Sequence, residues 1–202
     1  MPQSSDARLA NLLGALATGL TDNVDACAAA AELDRTAAVA LVALLDFTPS
    51  GSVQMLSQIV GLTHAGGVRL VNRLVQGEYV ARTPGDDARS IRVQLTSKGR
   101  RKALQLRKHR ESAITAAIAG LTEQQRDDLT RACELLITNL TDQRLTQRAR
   151  DTPLPGGALC RMCDFTACGR PEGQCPAACA AANVGPRTPA PPRRASGDRR
   201  QV

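Results

Sequence analysis

Apolar residues recur at three- and four-residue steps over most of the chain, which is the spacing of helices that bury one face. One such helix is predicted over residues 7–31, and a second begins after Asp34. The pattern returns after Thr96 and again after Thr122, where Gln125 completes a capping box with Thr122. The chain is therefore expected to consist mainly of packed helices.

A helix-turn-helix is indicated between these longer helices. Ser52 can cap a short helix that runs through Val60, and Gly61-Leu62 makes a turn. Thr63 can then cap a second helix of about fourteen residues. Two short helices joined by a tight turn that contains glycine are typical of this motif.

A hairpin, or wing, is predicted after the helix-turn-helix. Residues 79–83 and 91–95 resemble strands, and Pro84-Gly85-Asp86-Asp87 supplies the turn between them. The order of elements predicts a mainly α fold with a small two-stranded β wing. In that fold a winged helix-turn-helix is flanked by N- and C-terminal helices.

Basic residues are concentrated in the same part of the chain. The formal net charge is +7, and residues 62–110 alone hold twelve Lys and Arg against three acids, a local charge of +9. Nucleic-acid binding requires such a basic field, although a solvated surface is the simpler explanation of a charge run taken alone. The basic charge therefore supports nucleic-acid binding only because it lies beside the predicted helix-turn-helix.

The helix after Thr63 has two distinct faces. Four residues are spaced to pack inward: Gly67, Leu70, Val71 and Leu74. The outward face carries His64, Ala65, Val68, Arg69, Asn72 and Arg73. Arg69 suits guanine edges and Asn72 suits adenine, while Arg73 suits a phosphate; an ordinary polar surface is the alternative. Gly66 and Gly67 either permit close approach to DNA or weaken the helix.

This part of the chain resembles the MarR family of bacterial winged helix-turn-helix regulators. The matching stretches are residues 62–75, the Tyr79-Val80-Ala81-Arg82 that follows, and the wing at residues 86–99. The resemblance covers roughly residues 7–148. It implies a homodimer on double-stranded DNA with a palindromic operator, and a repressor rather than an activator. It also suggests a pocket for a small-molecule effector between the helix-turn-helix and the dimer helices.

The resemblance also implies individual contacts to DNA. Thr63 and His64 lie at the start of the recognition helix, although a surface histidine without a role is an equal alternative. Arg89 would reach the minor groove or its phosphates at the wing tip, and Asp87 would brace that loop. Arg92 would add a backbone contact.

Five cysteines fall within twenty residues near the C-terminus: Cys160, Cys163, Cys168, Cys175 and Cys179. The first four are predicted to bind a metal, with Cys179 spare, an alternate ligand or a resolving thiol. Four thiolates can hold Zn²⁺ tetrahedrally or an iron–sulfur cluster, and the spacing leaves both open. A thiol–disulfide switch and a tail with incidental cysteines are further alternatives. Cys27 and Cys133 are predicted to be small buried core residues.

The chain is expected to divide into three parts. Residues 1–149 form the winged helix-turn-helix and dimerisation domain, 150–179 the cysteine-rich metal-binding segment, and 180–202 a disordered Pro/Arg-rich tail. Any signal from the thiolates is expected to act through the helix at 122–148 and the dimer geometry, or not to act on DNA binding at all. Neither a signal peptide nor an apolar run of ~20 residues is present, so a cytoplasmic location without membrane contact is expected.

The function expected from these patterns is transcriptional regulation, with metal or redox state as the input. The sequence shows no nucleophile–base pair and no paired carboxylates of the kind that would indicate an enzyme. One alternative is gating by a small molecule, with the cysteine segment as a structural zinc docking knob. An alternative of another class is an iron–sulfur electron-transfer or cluster-carrier module that binds DNA nonspecifically.

Overall fold

The computed structural model describes residues 5–85, 91–149 and 156–183. The elements in these ranges, in chain order, are α1 (Ser5–Ala30), α2 (Arg35–Asp46), β1 (Gly51–Ser52), α3 (Val53–Val60), α4 (His64–Gln76), β2 (Val80–Pro84), β3 (Ile91–Leu95), α5 (Ser97–Ala117), α6 (Glu123–Ala149) and α7 (Pro176–Asn183). The mainly helical winged helix-turn-helix fold predicted from the sequence is confirmed.

Side-chain caps set the starts of the helices. The carboxylate of Asp34 accepts a hydrogen bond from the Ala37 N–H at 2.9 Å, and the Thr63 hydroxyl accepts one from the Gly66 N–H at 3.2 Å. Such caps satisfy amides that have no partner within the helix. The predicted capping box is also present, since Thr122 N–H donates to the Gln125 side chain at 2.9 Å.

The sheet has three strands in the described residues, in the order β1-β3-β2, and all are antiparallel. The prediction of two strands was therefore incomplete. β1 pairs Gly51 with Val93 and Ser52 with Arg92. A two-residue strand shows no alternation of polar and apolar positions, so its sequence carries no strand signal.

Helix α2 forms the centre of the core. Every residue from Ala37 to Leu45 is buried, so the helix is covered on all sides. Leucines from α3, α4 and α5 complete the core around it, together with Val93 of the sheet. A core of aliphatic side chains agrees with the scarcity of aromatic residues.

The apolar faces of α1 and α6 are largely uncovered in the single chain. Their exposed leucines are Leu9, Leu12, Leu13, Leu16, Leu129, Leu135, Leu136 and Leu140. Cys133, predicted to be buried, is exposed on α6, and Cys27 is only half-buried. The prediction failed for Cys133 because its apolar stripe does not pack against the chain's own core.

Residues 156–183 fold against the rest of the molecule and end in α7, which packs on α6. A boundary between residues 179 and 180 would cut through this helix, since Ala180 is buried within it. The predicted disorder from residue 180 is thus wrong for residues 180–183, while the remainder of that tail lies outside the described residues. No helix in the described ranges is both long and apolar enough to cross a membrane.

Candidate nucleic-acid interface

Helix α4 separates its two faces as its spacing predicts. Gly67, Leu70, Val71 and Leu74 are buried against the core. The opposite face is open to solvent and carries four polar side chains, His64, Arg69, Asn72 and Arg73. The helix is thus anchored along one side and offers hydrogen-bond donors along the other.

Gly67 belongs to the buried side of α4. A Cβ at this position would overlap the side chain of Ser57 on α3. The Ser57 hydroxyl is itself fixed, because it donates to the Val53 carbonyl at 2.6 Å. Gly67 therefore permits α3 and α4 to pack closely, and its Cα faces α3 rather than solvent.

Two polar side chains of α4 are held by partners outside the helix. Arg73 donates to the Asp34 carboxylate at 2.6 Å, and Asn72 accepts a hydrogen bond from Arg82 of β2. The Asp34 carboxyl is partly buried, which alone would raise its pKa, but hydrogen bonds from the Ala37 N–H and Arg73 lower it below the usual value. These contacts link α4 to α2 and to the wing.

The sequence predicted no contact between α4 and either Asp34 or Arg82. Asp34 was identified only as a helix cap, and the pairing with Arg73 spans 39 positions. Such a contact leaves no local signal in the sequence. Both residues lie beside the exposed face of α4, so they belong to the candidate interface.

The wing begins close to this surface. Arg92 on β3 donates to the Ser50 carbonyl at 2.9 Å, which ties the strand to the segment before α3. Lys98 pairs with Glu78 at 3.2 Å and lies over the Tyr79 ring. The predicted wing-tip contacts of Asp87 and Arg89 lie outside the described residues.

The thiols of the cysteine segment interact electrostatically. Cys163, Cys175 and Cys168 all raise the pKa of Cys160, and Cys175 contributes to the raised pKa of Cys168. Ligation of a metal by Cys160, Cys163, Cys168 and Cys175 stays a prediction.

The environment lowers the pKa of Cys163 and raises those of Cys160 and Cys168. Interaction with the Cys160 thiol lowers the pKa of Cys163 to about 6, against the effect of burial, with help from the positive charges of Arg110 and Arg170. The same interaction raises the pKa of Cys160. Burial raises the pKa of Cys168 to about 11.

Cys179 differs from Cys175 in its exposure. Its thiol is exposed and contacts the Gly173 carbonyl at 3.0 Å, whereas Cys175 is buried. Across the described residues, no three or more His, Cys, Asp and Glu side chains form a group that could hold a metal ion.

The start of the cysteine segment lies directly on the turn of the helix-turn-helix. The Ala158 N–H donates to the Ile59 carbonyl at 2.8 Å. Arg144 of α6 donates to the Gly157 carbonyl at 2.5 Å. The segment thus contacts α3 as well as the helix at 122–148, because the chain folds back after α6. How a signal from the segment would act stays a prediction.

A second set of contacts holds the segment to the end of α2. Arg107 of α5 bridges Asp46 at 2.7 Å and Asp164 at 3.1 Å, and is itself mostly buried. The rings of Phe47 and Phe165 meet edge to face with centroids 5.7 Å apart. Two of the three aromatic residues of the chain thus serve this junction.

The comparisons with known proteins agree with the fold. No protein-family model matches the chain, and no curated protein matches it in sequence. Among solved structures, a MarR family protein from Bacillus stearothermophilus matches with a TM-score of 0.63 and 23% identity, over 70% of this chain and 99% of that one. RV1404 from Mycobacterium tuberculosis matches with a TM-score of 0.57 and 24% identity, over 67% and 94%.

A third solved structure matches the same fold. The MarR family protein RV2887 from Mycobacterium tuberculosis matches with a TM-score of 0.52 and 25% identity, over 67% of this chain and 98% of that one. The chain therefore has the winged-helix fold seen in MarR family transcriptional regulators. Each of these three structures is covered almost completely, whereas each covers 70% of this chain or less.

Proposed function

We propose that this protein is a homodimeric transcriptional regulator that binds a palindromic operator and represses transcription in the cytoplasm. The observation that carries the proposal is helix α4, which is buried along one side and exposes His64, Arg69, Asn72 and Arg73 along the other. An anchored helix with basic and amide side chains outward is suited to the major groove. The protein has no catalytic role in this proposal.

The side chains divide between reading bases and holding phosphates. Arg69 extends from the exposed face of α4 and contacts guanine edges, with Asn72 on adenine. Arg73 is already positioned by Asp34, so it presents a charge to phosphate in a fixed direction. Arg89 and Arg92 of the wing and Thr63 and His64 at the helix start complete the proposed contacts.

Dimerisation would cover the apolar faces of α1 and α6. Leu9 and Leu12 are 55% and 54% exposed in the single chain, and Leu135 is 67% exposed. Such a concentration of large apolar side chains along two long helices is costly in water. A second copy that presents the same helices is the occupant with matching chemistry, and two copies read a two-fold symmetric site.

The cysteine segment is the proposed input. Its four cysteines, which lie close together in the sequence, suit a metal or a redox change, and its contacts with Ile59 and α6 reach both the helix-turn-helix and a dimer helix. A metal or redox change at the thiols can therefore alter DNA binding through these direct contacts. The effect would be a change in the spacing or mobility of the two recognition helices.

Selection of binding sequences from random double-stranded DNA tests this function. The proposal predicts recovery of a palindrome whose half-sites lie about one helical turn, or ~10 base pairs, apart. Arg69→Ala should weaken binding to that site by about 1–3 kcal/mol. Lys108→Ala, which removes one charge from the exposed side of α5, is the matched control and should change affinity little. Recovery of no preferred sequence would overturn the proposal.

A regulator gated by a small molecule is a second candidate, favoured by a cavity of about 170 Å³ at the junction of α2, α6 and the cysteine segment. Phe47, Leu145 and Leu159 supply its apolar wall, and Arg144 and Arg170 supply positive charge. In this alternative the cysteine segment holds a structural zinc and serves as a docking element for another protein. Release of operator DNA by a small aromatic anion such as benzoate, at constant metal content, would favour it.

An iron–sulfur electron carrier or cluster carrier with nonspecific DNA binding is the candidate of another class. It shares the thiol cluster and the basic field but needs no operator. Anaerobically purified protein that is coloured, contains iron and sulfide, and binds all duplexes equally would favour this candidate.

A further inference from the structure

We infer that the cavity between α6, α7 and residues 158–160 binds a small organic carboxylate, and that the bound ligand holds the cysteine segment against the turn of the helix-turn-helix. The site deepens the second candidate function, a regulator gated by a small molecule, and rests on that proposal for its effect on DNA. The ligand class follows from the charge, the size and the walls of the cavity.

The cavity is lined by positive charge. Arg144, Arg148 and Arg170 contribute to its wall, and none of the described residues that line it is Asp or Glu. Guanidinium groups that share one small cavity repel each other, so an anion between them is attracted. An arginine binds a carboxylate through two parallel hydrogen bonds, which favours this planar acid group over a simple spherical anion.

Two of these arginines are held in place by the fold. Arg144 donates from one guanidinium nitrogen to the Gly157 carbonyl at 2.5 Å. The Arg170 guanidinium lies 4.2 Å from the centroid of the Phe165 ring and 5.7 Å from that of the Phe47 ring. A guanidinium has several N–H donors in its plane and can therefore bind a carboxylate while it keeps one such contact. A carboxylate in the cavity can thus accept hydrogen bonds from α6 and from the segment together.

The size of the cavity limits the body of the ligand to about one ring. Its volume is about 170 Å³, close to the roughly 150 Å³ of a protein cavity that holds benzene. Phe47, Leu145 and Leu159 form apolar walls. Helix α7 contributes three alanines to the wall, Ala177, Ala178 and Ala181. Their small side chains keep α7 from filling the space.

The last turns of α6 face this cavity. Thr141, Leu145 and Arg148 lie four and three positions apart, so they share one face of the helix. Thr141 is buried, and its hydroxyl donates to the Ile137 carbonyl at 2.7 Å. Large leucines earlier in α6 are exposed in the single chain. The end of α6 therefore serves the cysteine segment, and the earlier part remains for the proposed dimer.

Arg144 connects the cavity to the helix-turn-helix. The Gly157 carbonyl that it contacts precedes Ala158, whose N–H donates to the Ile59 carbonyl at 2.8 Å. The approach is so close that a Cβ on Gly157 would overlap the Ile59 carbonyl. A ligand that joins Arg144 to Arg170 binds only the folded form of the segment, which makes this contact. The ligand therefore stabilises the contact by mass action.

Calorimetric titration of the full chain with benzoate tests the site in the absence of DNA. One benzoate per chain is expected, with a Kd of about 1 mM or lower. Benzamide has the ring without the charge, and inorganic phosphate has the charge without the ring. Each should bind at least about tenfold more weakly than benzoate. Benzoate that does not saturate the protein, or that binds no tighter than either control, would overturn the site.

Substitutions then test the location of the site. Arg170→Gln should weaken benzoate binding at least about tenfold, because it removes a charge from the cavity. Ala178→Leu should have the same effect by filling the space, with all the charges kept. Arg110→Gln is the matched control, since Arg110 lines another cavity, of about 210 Å³. Binding that is lost in Arg110→Gln but kept in the other two variants would overturn the location.

Hydrogen exchange tests the connection to the helix-turn-helix separately from DNA binding. At a benzoate concentration ten times its Kd, exchange of the Ala158 amide should slow about tenfold, because the ligand opposes opening of the segment. Arg170→Gln should show no slowing at this concentration. Unchanged exchange in the benzoate-bound wild type would overturn the connection. Slowed exchange with unchanged operator affinity would instead contradict the proposed gating of DNA binding.

Discussion

Gly67 decides how closely the two helices of the helix-turn-helix approach. Its Cα faces Ser57, and a side chain there would overlap the Ser57 hydroxyl. Gly66 precedes it on the same helix, but a Cβ there would have the Thr63 hydroxyl as its nearest neighbour, at 3.3 Å. Adjacent glycines thus have different roles, and only Gly67 is required by packing.

Gly67→Ala should lower the free energy of unfolding by roughly 1–3 kcal/mol, the usual cost of overpacking. Gly66→Ala is the matched control, since it adds the same methyl group at a more open position. Because Ala is the better helix former by up to about 1 kcal/mol, the control should be neutral or stabilising. Urea unfolding followed by circular dichroism measures the free energy of unfolding of both variants. An equal loss of stability in the two would contradict the packing role of Gly67.

Asp34 combines a helix cap with an ion pair to the recognition helix. Asp34→Ala should cost about 1 kcal/mol of stability near neutral pH, because it removes the cap of α2 as well as the Arg73 partner. Asp34→Asn keeps an equally good cap but has no charge. It should therefore retain most of the stability at neutral pH.

The pH dependence of stability tests the lowered pKa of Asp34, which the cap and the ion pair both cause. Its folded pKa is below the ordinary value of 3.8, so the unfolded chain binds the proton more readily. The stability that this carboxylate contributes is thus present above about pH 4 and is lost as pH falls through the folded pKa. The unfolding free energy of Asp34→Asn should fall less steeply than wild type below pH 5. Parallel curves would contradict the lowered pKa.

At the scale of elements, α1 and α6 are amphipathic helices whose apolar faces have no cover in the single chain. Leu136→Glu places a charge in the middle of the α6 stripe and should raise the dimer dissociation constant at least about tenfold. Gln124→Glu adds the same charge in the first turn of α6, twelve positions from Leu136, and should leave the dimer intact. Sedimentation equilibrium gives both constants, and an unchanged Leu136→Glu dimer would show that α6 is not its interface.

Element types and starts were predictable because their signals are local. Asp34, Ser52, Thr63 and Thr96 cap the helices that the apolar spacing indicated. Strand β1 and helix α7 were missed. The first is too short to show a period, and the second has an alanine-rich sequence without an amphipathic pattern.

Contacts between distant elements were not predictable from the sequence. The four cysteines could be grouped by their spacing, and their role as ligands stays a prediction. The position of Gly157 and Ala158 beside Ile59 depends on the chain folding back after α6, which no short pattern encodes. The Phe47–Phe165 contact joins residues more than a hundred positions apart and marks this junction only once the fold is known.

At the scale of the whole molecule, the basic field and the cysteine segment meet at the helix-turn-helix. Residues 62–110 carry a local charge of +9, more than the net +7 of the chain, and the segment contacts the turn just before them. DNA affinity should therefore fall steeply with salt, because each phosphate contact releases a counterion. The start of the cysteine segment thus contacts the same motif that carries the basic charge.

In the proposed function, two copies of α4 read one symmetric site. The most direct measurement is the mass and affinity of the complex on a duplex with both half-sites of the selected operator and on a duplex with one. We expect two chains per full-site duplex by light scattering, and binding at least about a hundredfold weaker to the half-site duplex. One chain per duplex with equal affinity for both DNAs would contradict the claim.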